Sequence, residues 1–117
     1  MRVAGIGCRD GVSLAALEEV LDALPGPVDC LATIAERGRQ VLWLADARRM
    51  DLRMVASAHL AGVRTETVSD RVMALFGTGS VAEAVALVAC GPGARLVGVR
   101  VVSADGSATA ALAEDDE

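Results

Sequence analysis

The hydrophobic positions of the first 24 residues change from a continuous run to a helical spacing. An apolar run begins at Val3 and ends in the glycine pair Gly5 and Gly7, which predicts a strand that leads into a tight glycine loop. Apolar residues then recur every three or four positions, which predicts a half-buried helix; they are Leu14, Leu17, Val20, Leu21 and Leu24. Ser13 is a good N-cap for this helix, and Pro25-Gly26-Pro27 ends it.

The middle of the chain repeats this alternation of strands and helices. Short apolar runs at 31–34 and 51–56 predict a second and a third strand. The stretch 39–48 between them predicts a helix, and its expected core-facing residues are Val41, Leu42, Leu44 and Ala45. A helical turn is expected at 57–60. It contains His59, the only histidine, which we expect to be exposed because no metal-ligating residue stands at a suitable spacing.

Two further helices are expected before the end of the chain. Ser69 can cap a helix over 70–76, and a second helix is expected over 81–90. Ser80 and Glu83 fit a capping box, in which each side chain accepts a hydrogen bond from the other residue's backbone N–H. The alternative is that Thr78, Gly79 and Ser80 form a second anion-accepting helix start, and the two interpretations are compatible.

The pattern of the last part of the chain predicts a β-hairpin, which completes the order of elements and so indicates the fold class. Apolar runs at 96–102 and 108–112 flank Asp105-Gly106, which is typical of a hairpin turn. The element order predicts a single α/β domain over 1–113, with a three-layer-like mixed sheet, parallel core strands, flanking helices and a C-terminal hairpin. The acidic residues 114–117 are expected to form a disordered tail.

Composition and charge narrow the function classes. The chain has 117 residues, 53% of them hydrophobic, with one Trp, one Phe and no Tyr. Four of the acidic residues that produce the net charge of −5 belong to the tail. Because there is no basic stripe and no aromatic platform, nucleic-acid binding is disfavoured. With no membrane-length apolar run and no signal-peptide layout, we expect a cytoplasmic protein and no membrane partner.

The residues that could bind a ligand or react lie at two predicted helix starts and among the three cysteines. A glycine loop beside a helix N-terminus favours an anionic ligand, and the candidate ligand-binding residues are Gly5, Gly7, Cys8, Arg9, Thr78, Gly79, Ser80 and Arg100. The alternative for Arg9 is a surface ion pair with Asp10 or a neighbouring residue. The cysteine spacing matches neither a zinc ribbon nor a disulfide framework, so Cys30 and Cys90 are expected in the core. No metal or cofactor is expected.

Four short motifs occur in order and cover nearly the whole chain before the tail; they are Gly5-Ile6-Gly7-Cys8-Arg9, Leu31-Ala32-Thr33-Ile34, Gly77-Thr78-Gly79-Ser80-Val81-Ala82-Glu83-Ala84 and Ala108-Thr109-Ala110-Ala111-Leu112-Ala113. Together they resemble the CobE and CbiG C-terminal-domain family of cobalamin biosynthesis proteins. Members of the family usually carry an acidic residue and a lysine after the second motif, and a lysine on the late strand. Here Ala35-Glu36-Arg37 and Arg100 stand at those places.

The resemblance implies an accessory protein of the standalone CobE type that binds or hands on a precorrin-type intermediate. Such a ligand is a polycarboxylate tetrapyrrole, so backbone donors and arginines would hold it. Other corrin-pathway enzymes are candidate partners, and the protein is expected to be a monomer or a homodimer.

The sequence leaves two alternative functions open. The first is a hydrolase of the ring-lactone-opening type, with Cys8 as a nucleophile whose ionisation is favoured by a helix N-terminus and Arg9, or with Glu83 as an acid or base. Neither candidate has a base partner that the sequence places nearby. The second alternative is a generic small-anion or nucleotide-binding domain that uses the same glycine loop, although no P-loop lysine is present.

Overall fold

The structure is a computed structural model that describes residues 1–116, so Glu117, the last residue of the predicted tail, lies outside the described residues. The strands are β1 (Arg2–Cys8), β2 (Cys30–Ile34), β3 (Asp51–Val55), β4 (Arg95–Val102) and β5 (Ala108–Glu114). The helices are α1 (Leu14–Asp22), α2 (Gly38–Arg48), α3 (Asp70–Phe76) and α4 (Val81–Cys90), with short 3-10 turns at Ala35–Arg37 and Ser57–Leu60. The predicted single α/β domain is confirmed.

All five strands form one mixed sheet in the order β3-β2-β1-β5-β4. β1, β2 and β3 are parallel, whereas β5 is antiparallel to both β1 and β4. The parallel core strands and the C-terminal hairpin are therefore as predicted. We call the edge where β1, β2 and β3 end the carboxyl edge, and the edge where they begin the amino edge.

Helices cover both faces of the sheet and produce three layers. Alternate residues of β1 point to opposite faces: Ala4 and Ile6 belong to a core cluster with α1 and α2, and Val3 belongs to a cluster with α4. Because both faces are buried, β1 and β2 read as continuous apolar runs rather than as alternating ones. β1 is thereby the central support of the fold.

Serine caps begin three of the helices, as expected. The hydroxyl oxygens of Ser13, Ser69 and Ser80 accept hydrogen bonds from backbone N–H groups in the first turns of α1, α3 and α4. One expectation for α2 is wrong: Leu42 is 46% exposed. α2 packs on the sheet through the narrow face of Val41, Leu44 and Ala45, and the residue after Val41 lies about 100° around the helix.

The end of the chain also differs from the expectation. Glu114 is the final residue of β5 rather than the first residue of a disordered tail. Its carboxylate accepts hydrogen bonds from Arg2 and from Arg95, at 3.0 Å for the latter. Asp116 accepts another from Arg95 at 2.8 Å. Because cations of two strands lie beside them, the charges of Glu114 and Asp116 are paired along the amino edge.

Within the described residues, no single helix is long and apolar enough to cross a membrane. Only α3 and α4 taken together pass that test by length and composition, and they are bent by 50° at the break between them.

Candidate functional site

Gly5 and Gly7 lie inside β1 and are buried, so the predicted glycine loop is wrong in its position. A Cβ at Gly5 would overlap the carbonyl oxygen of Ala82 and lie 2.8 Å from the Cβ of Ala86. A Cβ at Gly7 would lie 2.8 Å from the hydroxyl oxygen of Thr109. These glycines therefore admit helix α4 close to the sheet and do not present backbone N–H groups to solvent.

The second predicted helix start, at Thr78, Gly79 and Ser80, is buried as well. The Thr78 hydroxyl donates a hydrogen bond of 2.6 Å to the carbonyl oxygen of Val63. A Cβ at Gly79 would overlap the side chain of Thr65. The chain between Gly62 and Gly77, which we call the covering segment, thus lies over the N-terminus of α4.

Glu83 forms only half of the predicted capping box. Its backbone N–H donates to the Ser80 hydroxyl oxygen at 3.4 Å, as expected. Its carboxylate, which is 2% exposed, instead accepts hydrogen bonds from the backbone N–H groups of Glu66 and Thr67 at 3.2 and 3.0 Å. The covering segment supplies these closer donors, so the carboxylate turns to it and not back to Ser80. This engagement leaves Glu83 poorly placed to act as an acid or base.

Cys8 ends β1 at the carboxyl edge and is half-buried. Burial raises the pKa of its thiol above the ordinary value, and the positive charge of Arg37 opposes that rise. The expected activation by Arg9 is therefore wrong: the cation that acts on the thiol is Arg37, and burial outweighs it. A thiol with a raised pKa is a weaker candidate for a nucleophile at neutral pH.

Arg37 is a residue of this edge that was absent from the sequence-based site. Its Nε donates a hydrogen bond of 2.9 Å to the carbonyl oxygen of Cys8, which places its guanidinium over the end of β1. It ends the 3-10 turn that follows the second parallel strand, in the region where side chains of an α/β sheet converge on ligands. That position is the signal by which it could have been found.

Arg9 is exposed at the start of the loop that follows β1. Its backbone N–H donates a 2.9 Å hydrogen bond to Ser107 in the hairpin loop, which fixes the backbone from which the guanidinium extends. The alternative ion pair with Asp10 does not form. The Asp10 carboxylate instead accepts a 2.8 Å hydrogen bond from Gln40. Within residues 1–116, neither Arg9 nor Arg37 has a carboxylate partner.

Arg100 and Glu83 line a cleft of about 200 Å³ on the α4 side of the sheet. Glu66 and Thr67 of the covering segment form one wall, and β4 forms the other around Gly98, whose φ of 69° accompanies a bulge in the strand pairing. Arg100 is half-buried and has no carboxylate partner within the described residues.

The sequence-predicted residues thus fall into three sets. Cys8 and Arg9 lie together at the end of β1, where Arg37 joins them, and Arg100 lies on the wall of the cleft. The remaining candidates are packing residues around α4: Gly5, Gly7, Thr78, Gly79 and Ser80. His59 is exposed, and Cys30 and Cys90 are buried, as expected. In the part of the chain that the structure describes, no group of three acidic, histidine or cysteine side chains is arranged to hold a metal ion.

Comparison with known proteins gives one family. The sequence model of the family described as cobalamin synthesis G C-terminus (CbiG_C) matches residues 2–113. No curated protein sequence matches the chain.

Two crystal structures are similar to this fold over nearly its whole length. One is CobE, described as a protein from the cobalamin (vitamin B12) biosynthetic pathway; it is 30% identical, with a TM-score of 0.76, over 97% of this chain and 89% of that one. The other is the cobalamin biosynthesis protein chiG from Agrobacterium tumefaciens str. C58, which is 34% identical, with a TM-score of 0.72, over the full length of both chains.

Proposed function

Given that the chain belongs to the CobE and CbiG C-terminal-domain family and so takes part in cobalamin biosynthesis, we propose that it binds a precorrin-type intermediate and hands it on. The ligand is a tetrapyrrole that carries several carboxylates. We place it at the carboxyl edge, against Arg9, Arg37 and the half-buried Cys8, with Arg100 as a further cation on the α4 side of the sheet.

The observation that carries the proposal is that these arginines have no carboxylate partner within residues 1–116. A guanidinium offers paired N–H donors that match the geometry of a carboxylate. Because Arg37 is oriented by its bond to the end of β1, part of its ordering cost is met before a ligand arrives. The net charge of −5 provides no long-range attraction for a polyanion, so such local donors must supply the affinity.

The position of these residues supports the same conclusion. In sheets with parallel strands, ligands favour the crevice beyond the carboxyl ends of the strands. Here the loop after β1 leads to α1 on one face, while α4 begins at the same edge on the other face. The packing residues Gly5, Gly7, Thr78, Gly79 and Ser80 then support this edge without touching the ligand.

A binding role is favoured over catalysis by the state of the two candidate catalytic groups. Burial raises the pKa of Cys8, and the Glu83 carboxylate is engaged by two backbone N–H groups. We further expect the protein to work in the cytoplasm, as a monomer or homodimer, beside other corrin-pathway enzymes.

The test is a titration of the purified protein with a precorrin-type intermediate, followed through the visible spectrum of the ligand and through product mass. We expect saturable binding without conversion. Replacing a charge-assisted hydrogen-bond donor costs about 1.5–3 kcal/mol, so the double variant Arg9→Ala/Arg37→Ala is expected to bind about 100-fold more weakly. Arg95→Ala removes the same charge from the amino edge and is expected to bind within about twofold of the unaltered protein.

Two results would overturn the proposal. Equal affinity for the unaltered protein and the double variant would remove the carboxyl edge as the site. Conversion of the intermediate that Cys8→Ser abolishes would replace the carrier with a catalyst.

A further inference from the structure

The covering segment is a long stretch of chain that adds no buried residue to the fold. No residue from Ala61 to Gly77 is buried, although the segment contains the whole of α3. Several large apolar side chains of the segment are exposed, namely Val68, Met73 and Leu75. Val63 and Phe76 pack against the core cluster of α4, but both stay partly exposed. Because stability follows buried apolar surface, the segment can separate from the core at a lower cost than a buried element.

The two ends of the segment meet. The backbone N–H of Gly62 donates a 2.9 Å hydrogen bond to the carbonyl oxygen of Gly77. Both glycines have left-handed backbone conformations, with φ of 81° and 72°. Such positions tolerate large changes of backbone angle more easily in glycine than in other residues. The two ends of the covering segment therefore lie side by side. The segment can rotate about them without displacing the strands of the sheet.

A small set of polar contacts holds the segment against the body of the protein. The Glu83 carboxylate accepts the two N–H bonds from Glu66 and Thr67. The Thr78 hydroxyl donates to Val63, and the backbone N–H of Ser69 donates to Gly79 at 2.9 Å. Glu83 is the only charged side chain in this set, and a hydrogen bond to an ionised group is stronger than one between neutral groups.

The segment covers two features at once. Beneath it, Thr78, Gly79 and Ser80 are all buried at the start of α4. Beside it, Glu66 and Thr67 form the wall of the cleft opposite Gly98 and Arg100. A movement that breaks the bonds to Glu83 would widen the cleft and expose the first turn of the helix together.

We propose that the covering segment, residues 62–77, opens and closes as one unit about Gly62 and Gly77, with the Glu83 carboxylate as its anchor. The movement controls access to the cleft that Arg100 lines. It is a property of the protein alone and stands whether or not the ligand is a corrin-pathway intermediate.

Hydrogen–deuterium exchange of the ligand-free protein, resolved by mass spectrometry of peptides, tests the proposal. In Glu83→Gln the amide keeps one acceptor oxygen but loses the charge and the second acceptor. We expect peptides within 62–77 to exchange at least about tenfold faster, whereas peptides of β1 and β5 exchange at the unaltered rate. Glu66→Gln is the matched control: it removes an equal charge from an exposed side chain of the same segment, and its exchange is expected to stay unchanged.

A second variant guards against a loss of folding in Glu83→Gln. Gly62 is exposed, and a Cβ there would meet no atom within 4 Å, so Gly62→Ala cannot disturb the core. Alanine disfavours the left-handed angle of the closed state, and the segment is expected to exchange about fivefold faster. If Gly62→Ala leaves the exchange of 62–77 unchanged, or if Glu83→Gln folds and exchanges like the unaltered protein, the proposal is wrong.

Discussion

Within residues 1–116, the arginines that form ion pairs with carboxylates all lie at the amino edge of the sheet, although Arg49 at that edge forms none. At the amino edge, three arginines form ion pairs with carboxylates: Arg2, Arg48 and Arg95. Toward the carboxyl edge, four have no such partner within residues 1–116: Arg9, Arg37, Arg39 and Arg100. The same residue type is thus part of the framework at one edge and is left available at the other.

The difference shows how this fold separates stability from recognition. Arg2 binds the carbonyl oxygens of Pro25 and Pro27 as well as Glu114, at 2.6 and 2.7 Å for the two carbonyls, so it joins β1, β5 and the loop after α1. Such a set of bonds cannot be exchanged for ligand contacts without loosening the fold. An arginine at the carboxyl edge can bind a ligand without breaking an ion pair, because the ligand takes the place of water around its guanidinium and not of a protein carboxylate.

The largest expected loss of stability comes from Gly5→Ala, which tests whether close packing on β1 positions the N-terminus of α4 at the carboxyl edge. The added Cβ would overlap the Ala82 carbonyl oxygen, and overpacking of this kind costs about 3 kcal/mol. We expect the free energy of unfolding in urea to fall by that amount. Gly11→Ala is the control, since a Cβ there meets no atom within 4 Å. Equal stability of the two variants would contradict the close packing of α4 on β1.

The next largest effect is the difference in stability between two variants, each of which removes an arginine from one edge of the sheet. Arg2→Ala removes several charge-assisted hydrogen bonds and is expected to lower the free energy of unfolding by about 2 kcal/mol. Arg9→Ala, which removes an exposed guanidinium, is expected to change it by less than about 0.5 kcal/mol. Urea titrations of both variants measure the difference. Equal losses would show that the two edges do not differ in the way the ion pairs indicate.

A smaller effect concerns acid stability at the amino edge. The hydrogen bond from Arg48, and then its charge, lower the pKa of Asp22 below the ordinary 3.8. A carboxyl with a lowered pKa in the folded state stabilises the fold above its unfolded pKa, and this contribution is lost as the pH falls through the folded value. We therefore expect Asp22→Asn to lose less stability than the unaltered protein between pH 5 and pH 2.

Urea midpoints at several pH values, at low salt, measure that difference. Asp46→Asn is the control: Asp46 is exposed, and its carboxylate has no ion-pair partner in the described part of the chain. Identical pH profiles for Asp22→Asn and the unaltered protein would show that the Arg48 pair contributes nothing to acid stability.

The smallest effect concerns the thiol at the carboxyl edge. Because the charge of Arg37 opposes the rise in the pKa of Cys8, Arg37→Ala is expected to raise that pKa further and to slow alkylation of Cys8 at pH 8 by about threefold. Arg9→Ala is expected to leave the rate unchanged. Iodoacetamide labelling, read per cysteine by mass spectrometry, makes the measurement. A slower rate in Arg9→Ala alone would reverse the assignment of the cation.

Most of the fold could be predicted because its signals are local. Ser13, Ser69 and Ser80 precede helices as N-caps, and the Asp105-Gly106 pair lies in the loop that joins β4 to β5. Each of these features depends on residues within a few positions. In this chain the local preferences agree with the global fold, so they can be recognised without knowledge of the tertiary contacts.

The candidate site was less predictable because it depends on distant contacts. A glycine pair after an apolar run fits a loop or a close helix contact equally well, and only the arrival of α4 decides for Gly5. The sequence spacing of Ser80 and Glu83 could not show that Glu66 and Thr67 would lie nearer to the carboxylate. Arg37 acts on Cys8 across 29 residues, a contact that follows from the pairing of β1 with β2.

The ion pairs of the amino edge also bring the first and the last described parts of the chain together. The N-terminal amine of Met1 bonds to Asp115 at 2.9 Å, and Arg2 pairs with Glu114 across neighbouring central strands. A polypeptide joined to either end would therefore emerge on the side of the sheet that faces away from Arg9 and Arg37. Fusion partners, purification tags and surface tethers can be attached there without obstructing the ligand, and the closeness of the ends suits the domain to circular permutation.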